Sequence, residues 1–153
     1  MRRFSSMWVV ALALMGASCR DSNAPAPSVA VRASVDRLQY HVGDSVGVPV
    51  EVENISDRAV RISGNLAAFL EVRNAAGKVV FFGRSGVFAA VAYPPRVLEP
   101  GELINDRPWW GLVVIGPASS VAEPGTYRVR AAVRVLSARD YTFSSPLEVT
   151  IVP

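Results

Sequence analysis

Val46-Gly47-Val48-Pro49-Val50-Glu51-Val52-Glu53 places a valine at every second position, with glycine, proline or a carboxylate between. Successive side chains of a strand point to opposite faces, so this spacing predicts a strand with one buried and one wet face. Tyr127, Val129, Ala131, Val133 and Val135 alternate in the same way with Arg128, Arg130, Ala132 and Arg134. Leu147, Val149 and Ile151 do so with Glu148 and Thr150. Outside the first eighteen residues no long stretch carries a 3.6-residue apolar repeat. Helix is therefore a minor element at most.

Turn-forming clusters punctuate these runs: His41-Val42-Gly43-Asp44, Asn54-Ile55-Ser56-Asp57, Ser63-Gly64-Asn65, Asn74-Ala75-Ala76-Gly77 and Glu123-Pro124-Gly125. Their intervals suit short strands without helical crossovers. Burying one face of every strand at this length predicts an all-β, immunoglobulin-like antiparallel β-sandwich of about seven to nine strands. Pro124-Gly125-Thr126-Tyr127 also predicts a tyrosine corner, the phenol reaching back to the backbone. Pro49 cannot donate to a ladder, so its strand lies at an edge or bulges there.

The chain's beginning has a different character. Arg2 and Arg3 precede an apolar run from Met7 to Met15 and the small residues Gly16, Ala17 and Ser18. The run falls short of the about 20 apolar residues that span a bilayer, so 1–18 reads as a cleaved signal peptide. Met15-Gly16-Ala17-Ser18-Cys19 resembles the bacterial lipobox, with Gly16 where that motif more usually has Leu, Val or Ile. The resemblance implies lipid on Cys19, the sole cysteine of the chain; several acyl chains anchor stably where one binds reversibly. An ordinary signal with Cys19 there by chance is the alternative. Residues 19–28 then form a proline-containing tether, and 29–153 form the folded domain. Arg20 stands where Asp favours inner-membrane retention, so the expected home is the cell envelope, on the outer membrane if the organism has one.

Charge narrows the partners. The 153 residues carry 16 basic and 13 acidic side chains, and loss of Arg2 and Arg3 with the leader brings the balance to +1. Near-neutrality argues against nucleic acid. His41 is the single histidine, and it shares a turn with Asp44 and no nucleophile, so no catalytic residues are expected. One histidine and a lipidated Cys19 do not supply a zinc site, and no glycine-rich phosphate loop is present. No metal and no cofactor are expected. Asn54-Ile55-Ser56 fits a glycosylation sequon but reads most simply as a turn.

Binding is sought in loops and exposed aromatics. Residues 84–96 lack alternation and contain Phe88, Tyr93, Pro94-Pro95 and Arg96. They form either a loop that packs Phe88 on the core or an extended segment presented to a partner. Trp109 and Trp110 are neighbours and point to opposite faces if they lie on a strand, so one is an exposed anchor or a cap on a sheet edge. Arg128, Arg130 and Arg134 read as a solvated outer face.

From Val46 to Val135 the order of pieces resembles the BsuPI-type proteinase inhibitor domain, an immunoglobulin-like family. The pieces are Val50 to Asn54, Ser63-Gly64-Asn65, Phe69-Leu70-Glu71-Val72-Arg73-Asn74, Gly77-Lys78-Val79 and Ser85-Gly86-Val87-Phe88. Leu98-Glu99-Pro100-Gly101-Glu102, a Trp at 109 or 110, and Glu123-Pro124-Gly125-Thr126-Tyr127-Arg128-Val129 complete them. The family usually passes from its Trp to the Pro-Gly-Thr-Tyr turn in a few residues, whereas residues 111–122 intervene here. The resemblance implies a protein partner, with a protease as one candidate. The expected function is a lipid-anchored envelope protein that binds another protein; the alternative is a structural or accessory lipoprotein without inhibitory activity.

Overall fold

The computed structural model describes residues 27–64, 68–85, 94–114 and 119–153. The leader, Cys19, Phe88 and Tyr93 lie outside the described residues. In chain order the strands begin with β1 (Val29–Ala33), β2 (Gln39–His41), β3 (Val46–Gly47), β4 (Val50–Asn54) and β5 (Val60–Ile62). Next come β6 (Phe69–Asn74), β7 (Val79–Gly83), β8 (Arg96–Leu98), β9 (Leu103–Asp106) and β10 (Trp109–Trp110). The last are β11 (Val113–Val114), β12 (Ser120–Val121), β13 (Gly125–Arg134), β14 (Tyr141–Phe143) and β15 (Leu147–Val152). No helix occurs among the described residues.

The fold is the expected antiparallel β-sandwich. One sheet runs β1-β4-β9, and β3-β10 continues the β4-β9 ribbon. The other runs β2-β15-β13-β6-β7, with β14 also on β13. The pairing of β2 with β15 is parallel and the other strand pairings described are antiparallel. A third ribbon, β5-β8, is joined to the end of β13 by a bridge between Ile62 and Val135.

The strands outnumber the expected seven to nine, and proline is one reason. Val50 faces Asp106 and Gly47 faces Trp109 in one unbroken register, yet the ladder is interrupted between them. Pro49 accepts a hydrogen bond from the Ser34 N–H at 3.0 Å, and Pro108 accepts one from the Val48 N–H at 2.9 Å. Each proline supplies a carbonyl and cannot return an N–H, so one ribbon divides into β3-β10 and β4-β9. Pro49 sits where β1 ends; beyond it β3 has β10 as its sole partner among the described residues, which makes this stretch an edge there. The residues at 111–122 add a further pair, the β11-β12 hairpin.

Alternation delivers the core. Val46, Val48, Val50 and Val52 are buried together with Leu70, Val72, Val129, Ala131, Val133, Val149 and Ile151 from the opposite sheet. Trp110 is fully enclosed between the sheets, its ring 5.3 Å from that of Tyr127 and 6.5 Å from that of Phe81. The indole N–H donates to the Val113 carbonyl at 3.0 Å, so burial leaves no unpaired donor. Tyr127 makes the tyrosine corner, its hydroxyl donating to the Glu123 carbonyl at 2.9 Å.

Turns close the ends. Asn54 is 1% exposed; its amide donates to the carbonyls of Arg58 and Leu98, and its side-chain oxygen accepts from the Ser56 N–H and hydroxyl. One buried side chain thus ties β4 to the end of β8, and the sequon asparagine is occupied as a turn residue. At the other end Asp44 accepts from the His41 N–H and returns its own N–H to the His41 carbonyl, with Gly43 at φ 97° completing the turn.

Replacing Trp110 removes the ring that joins both sheets. Trp110→Ala is expected to cost about 3–5 kcal/mol, whereas Trp109→Ala costs less than about 1 kcal/mol because its ring lies outside the core. Urea unfolding of the two variants separates these outcomes.

Candidate functional site

The sheet β2-β15-β13-β6-β7 has an outer face whose chemistry is unlike that of an ordinary solvated surface. Along β13 the outward positions are Arg128, Arg130, Ala132 and Arg134, by alternation with the buried Val129, Ala131 and Val133. Register sets their neighbours: Arg128 lies between Arg73 and Glu148, Arg130 beside Glu71, and Ala132 between Phe69 and Phe143. Phe82 lies opposite Glu71, and Tyr141 opposite Arg134. Strands distant in sequence therefore deliver four aromatic rings to one face.

The rings form a connected platform. Phe82 and Tyr141 meet edge to face at 5.2 Å, Phe69 stacks on Phe82 at 6.3 Å, and Tyr141 contacts Phe69 at 6.4 Å and Phe143 at 6.3 Å. Edge-to-face and offset arrangements are the favoured ones for aromatic quadrupoles. Phe82 remains 39% exposed. Ala132 has no exposed surface although its Cβ points away from the core, because the flanking rings close over a side chain this small.

Charge borders the platform on one side. Glu71 is buried and accepts hydrogen bonds from Arg73 Nε at 2.6 Å and Arg130 Nε at 2.8 Å. Burial pushes the Glu71 carboxyl up, but the hydrogen bonds and charges of the two guanidinium groups outweigh it and hold the group below its ordinary range. Arg130 also lies over the Phe143 ring at 3.7 Å, a cation–π contact that joins the charged and aromatic halves. The expected solvated face of Arg128, Arg130 and Arg134 is thus corrected at Arg130, which is paired and stacked; Arg128 and Arg134 are exposed. Glu71, Arg73, Arg128, Arg130 and Pro146 line a hollow of about 280 Å³.

The candidate residues from the sequence fall elsewhere. Trp109 is 41% exposed and packs over Gly111, where an added Cβ would meet its ring at 3.0 Å. Trp110 is core. Arg96 is exposed on β8 and pairs with Glu102 at 3.2 Å. No hydrogen bond or ring contact among the described residues joins Arg96 to either tryptophan. The segment 84–96 is held at its start by a buried fork: Arg84 donates to both oxygens of Asp106, at 2.6 and 2.9 Å, and to the Ala68 carbonyl. Burial pushes the Asp106 carboxyl up, and the hydrogen bonds from Arg84 and the Ala68 N–H overcome it, so the net shift is downward.

On the outer face of the other sheet a hollow of about 660 Å³ is lined by Arg32, Pro49, Glu51, Asn105 and Arg107 among others, without an aromatic ring. Among the described residues no group of three or more His, Cys, Asp or Glu is placed to hold a metal ion. His41 and Asp44 are committed to their turn, with Asp44 also accepting from Arg37 at 3.0 Å.

No family model matches the chain, and no curated protein matches it. Solved structures do. A β-glucosidase from Erythrobacter marinus superposes over 82% of this chain with a TM-score of 0.53 and 20% identity, the match covering 15% of that protein. A β-glucosidase from Listeria innocua gives 0.52 and 17% over the same share, and 16% of its own length. An alkylpurine DNA glycosylase from Pseudomonas fluorescens gives 0.51 and 13%, with 31% of that protein covered. The chain spans under a third of each, and the likeness is one of fold alone.

The carboxylates generate a pH prediction. Asp106 and Glu71 are held below their ordinary values in the folded state, so the unfolded chain binds protons first as pH falls. Their contribution to stability is complete above the ordinary carboxylate range and is lost as pH falls through that range to the lower values of the folded state. Asp106→Asn is expected to lower stability at neutral pH and to flatten this acid slope. Urea unfolding across that range measures both effects.

Proposed function

We propose that this chain is a lipid-anchored protein of the cell envelope that acts as a non-catalytic module binding another protein. The aromatic platform of Phe69, Phe82, Tyr141 and Phe143, edged by arginine, carries this reading. Aromatic rings at the surface beside guanidinium groups are the side chains enriched at protein interfaces. A face built on rigid strands also binds without paying for the ordering of a loop. The anchor rests on the lipobox-like Met15 to Cys19, and the tether that follows would hold the sandwich clear of the bilayer.

The resemblance to BsuPI-type domains makes a protease one form of that partner. Phe88 and Tyr93, the loop aromatics on which that narrower form would depend, lie outside the described residues. The platform supports protein binding and carries no argument for blocking a catalytic cleft. Binding is therefore the conclusion, and inhibition is a separate property.

Both halves are testable in cells. A photo-crosslinking amino acid at Phe82 is expected to capture one discrete envelope protein, and the same group at Glu53, on the opposite sheet, to capture none. Equal capture at both positions would remove the platform reading. Labelled palmitate is expected to mark the wild-type chain and not Cys19→Ser, which would leave the membrane fraction; labelling of both would remove the anchor.

A further inference from the structure

Resting on the protein-binding reading above, we infer that the platform takes an extended acidic segment of its partner. In this arrangement a carboxylate occupies the hollow at Arg128, and an apolar side chain four residues away lies on the rings gathered about Ala132. Charge complementarity argues for the carboxylate. Three guanidinium groups, from Arg73, Arg128 and Arg130, border the hollow, and one carboxylate, Glu71, sits in it. Arg73 gives two donors to Glu71 and one to the Gly77 carbonyl, and Arg130 gives one to Glu71. Arg128 makes no side-chain hydrogen bond among the described residues; its one ion pair, with Glu148 at 3.9 Å, is long and mostly exposed. Exposed pairs of this kind contribute little, so an incoming carboxylate can take the place of Glu148. A guanidinium binds a carboxylate through two parallel N–H groups, which sets orientation as well as charge.

Strand geometry sets the spacing. Outward positions on β13 recur every second residue, about 7 Å apart, and a peptide lying along the strand presents its own side chains at the same interval. One such step leads from the Arg128 row to the row of Phe82, Glu71 and Arg130, and a second to Phe69, Ala132 and Phe143. The rings converge on that second row, because Tyr141, opposite Arg134, meets Phe82 at 5.2 Å across it. An acid at one position and Leu or Phe four residues away therefore meets both halves of the site at once. Arg130, bonded to Glu71 and stacked on Phe143, holds the boundary between them rigid.

The test uses the purified protein and an array of blocked peptides in which Glu and Leu are separated by zero to five residues in either order. Peptides with three intervening residues are expected to bind most tightly. Changing Glu to Gln, or the protein to Arg128→Gln, is expected to weaken them about tenfold, the scale of one charge-assisted hydrogen bond. Phe82→Ser is expected to abolish the preference for Leu while leaving that for Glu. Binding that follows peptide charge alone, equal binding of the Gln peptides, or preference for peptidoglycan fragments over all peptides would each overturn the inference. If the Phe82 crosslink captures a protein while the array shows no acidic preference, this inference falls and the binding function stands. If the crosslink and the array both fail, both fall.

Discussion

Enclosure of Trp110 between the two sheets is the constraint on which the rest depends. Its ring touches Tyr127 from the long central strand and Phe81 from β7 at the end of the same sheet, so a single side chain couples the layers. Transfer of an indole from water is worth several kcal/mol, about 25 cal/mol for each Å² of apolar surface removed. Moving residues 103–110 by one position would turn Trp109 inward and Trp110 and the buried Ile104 outward. The register of residues 46–54 against 103–110 is therefore strongly specified, and it survives the gaps at Pro49 and Pro108.

With the inside occupied in this way, the outside of the second sheet is free to carry a different chemistry. Phe69 and Phe82 lie next to the buried Leu70 and Phe81, so the same alternation that fills the core sends one aromatic from each strand outward. Tyr141 and Phe143 arrive on β14, a short strand that pairs with the end of β13. Glu71 is neutralised by two arginines instead of by water, which lets a carboxylate lie buried at the border of an apolar patch. The face is consequently preorganised: its charged and aromatic parts are fixed by sheet register and by one another.

The fold was legible in the sequence because burial on one side forces period two, and Val46 to Val52, Tyr127 to Val135 and Leu147 to Ile151 all carry it. The tyrosine corner and the opposite fates of Trp109 and Trp110 followed from the same geometry. Strand number was not legible, since a gap that keeps register, as at Pro49 and Pro108, cannot be told from a turn by composition. The platform was missed for a specific reason. Its residues come from β6, β7, β13 and β14, and each ring alone looks like core. The available signal was the doublets Phe69-Leu70 and Phe81-Phe82, to which the argument used for Trp109-Trp110 applies equally. The fork between Arg84 and Asp106 joins residues 22 apart and had no local signature.

The aromatic side chains divide into those that hold the fold and those that serve a surface. The most direct measurement of that division is the unfolding free energy of Phe82→Ser in urea. A surface ring is expected to cost less than about 1.5 kcal/mol, the worth of an exposed aromatic contact. A loss of about 3–5 kcal/mol, the scale of an emptied core site, would show that the platform is a second core capping the sheet and would contradict the account.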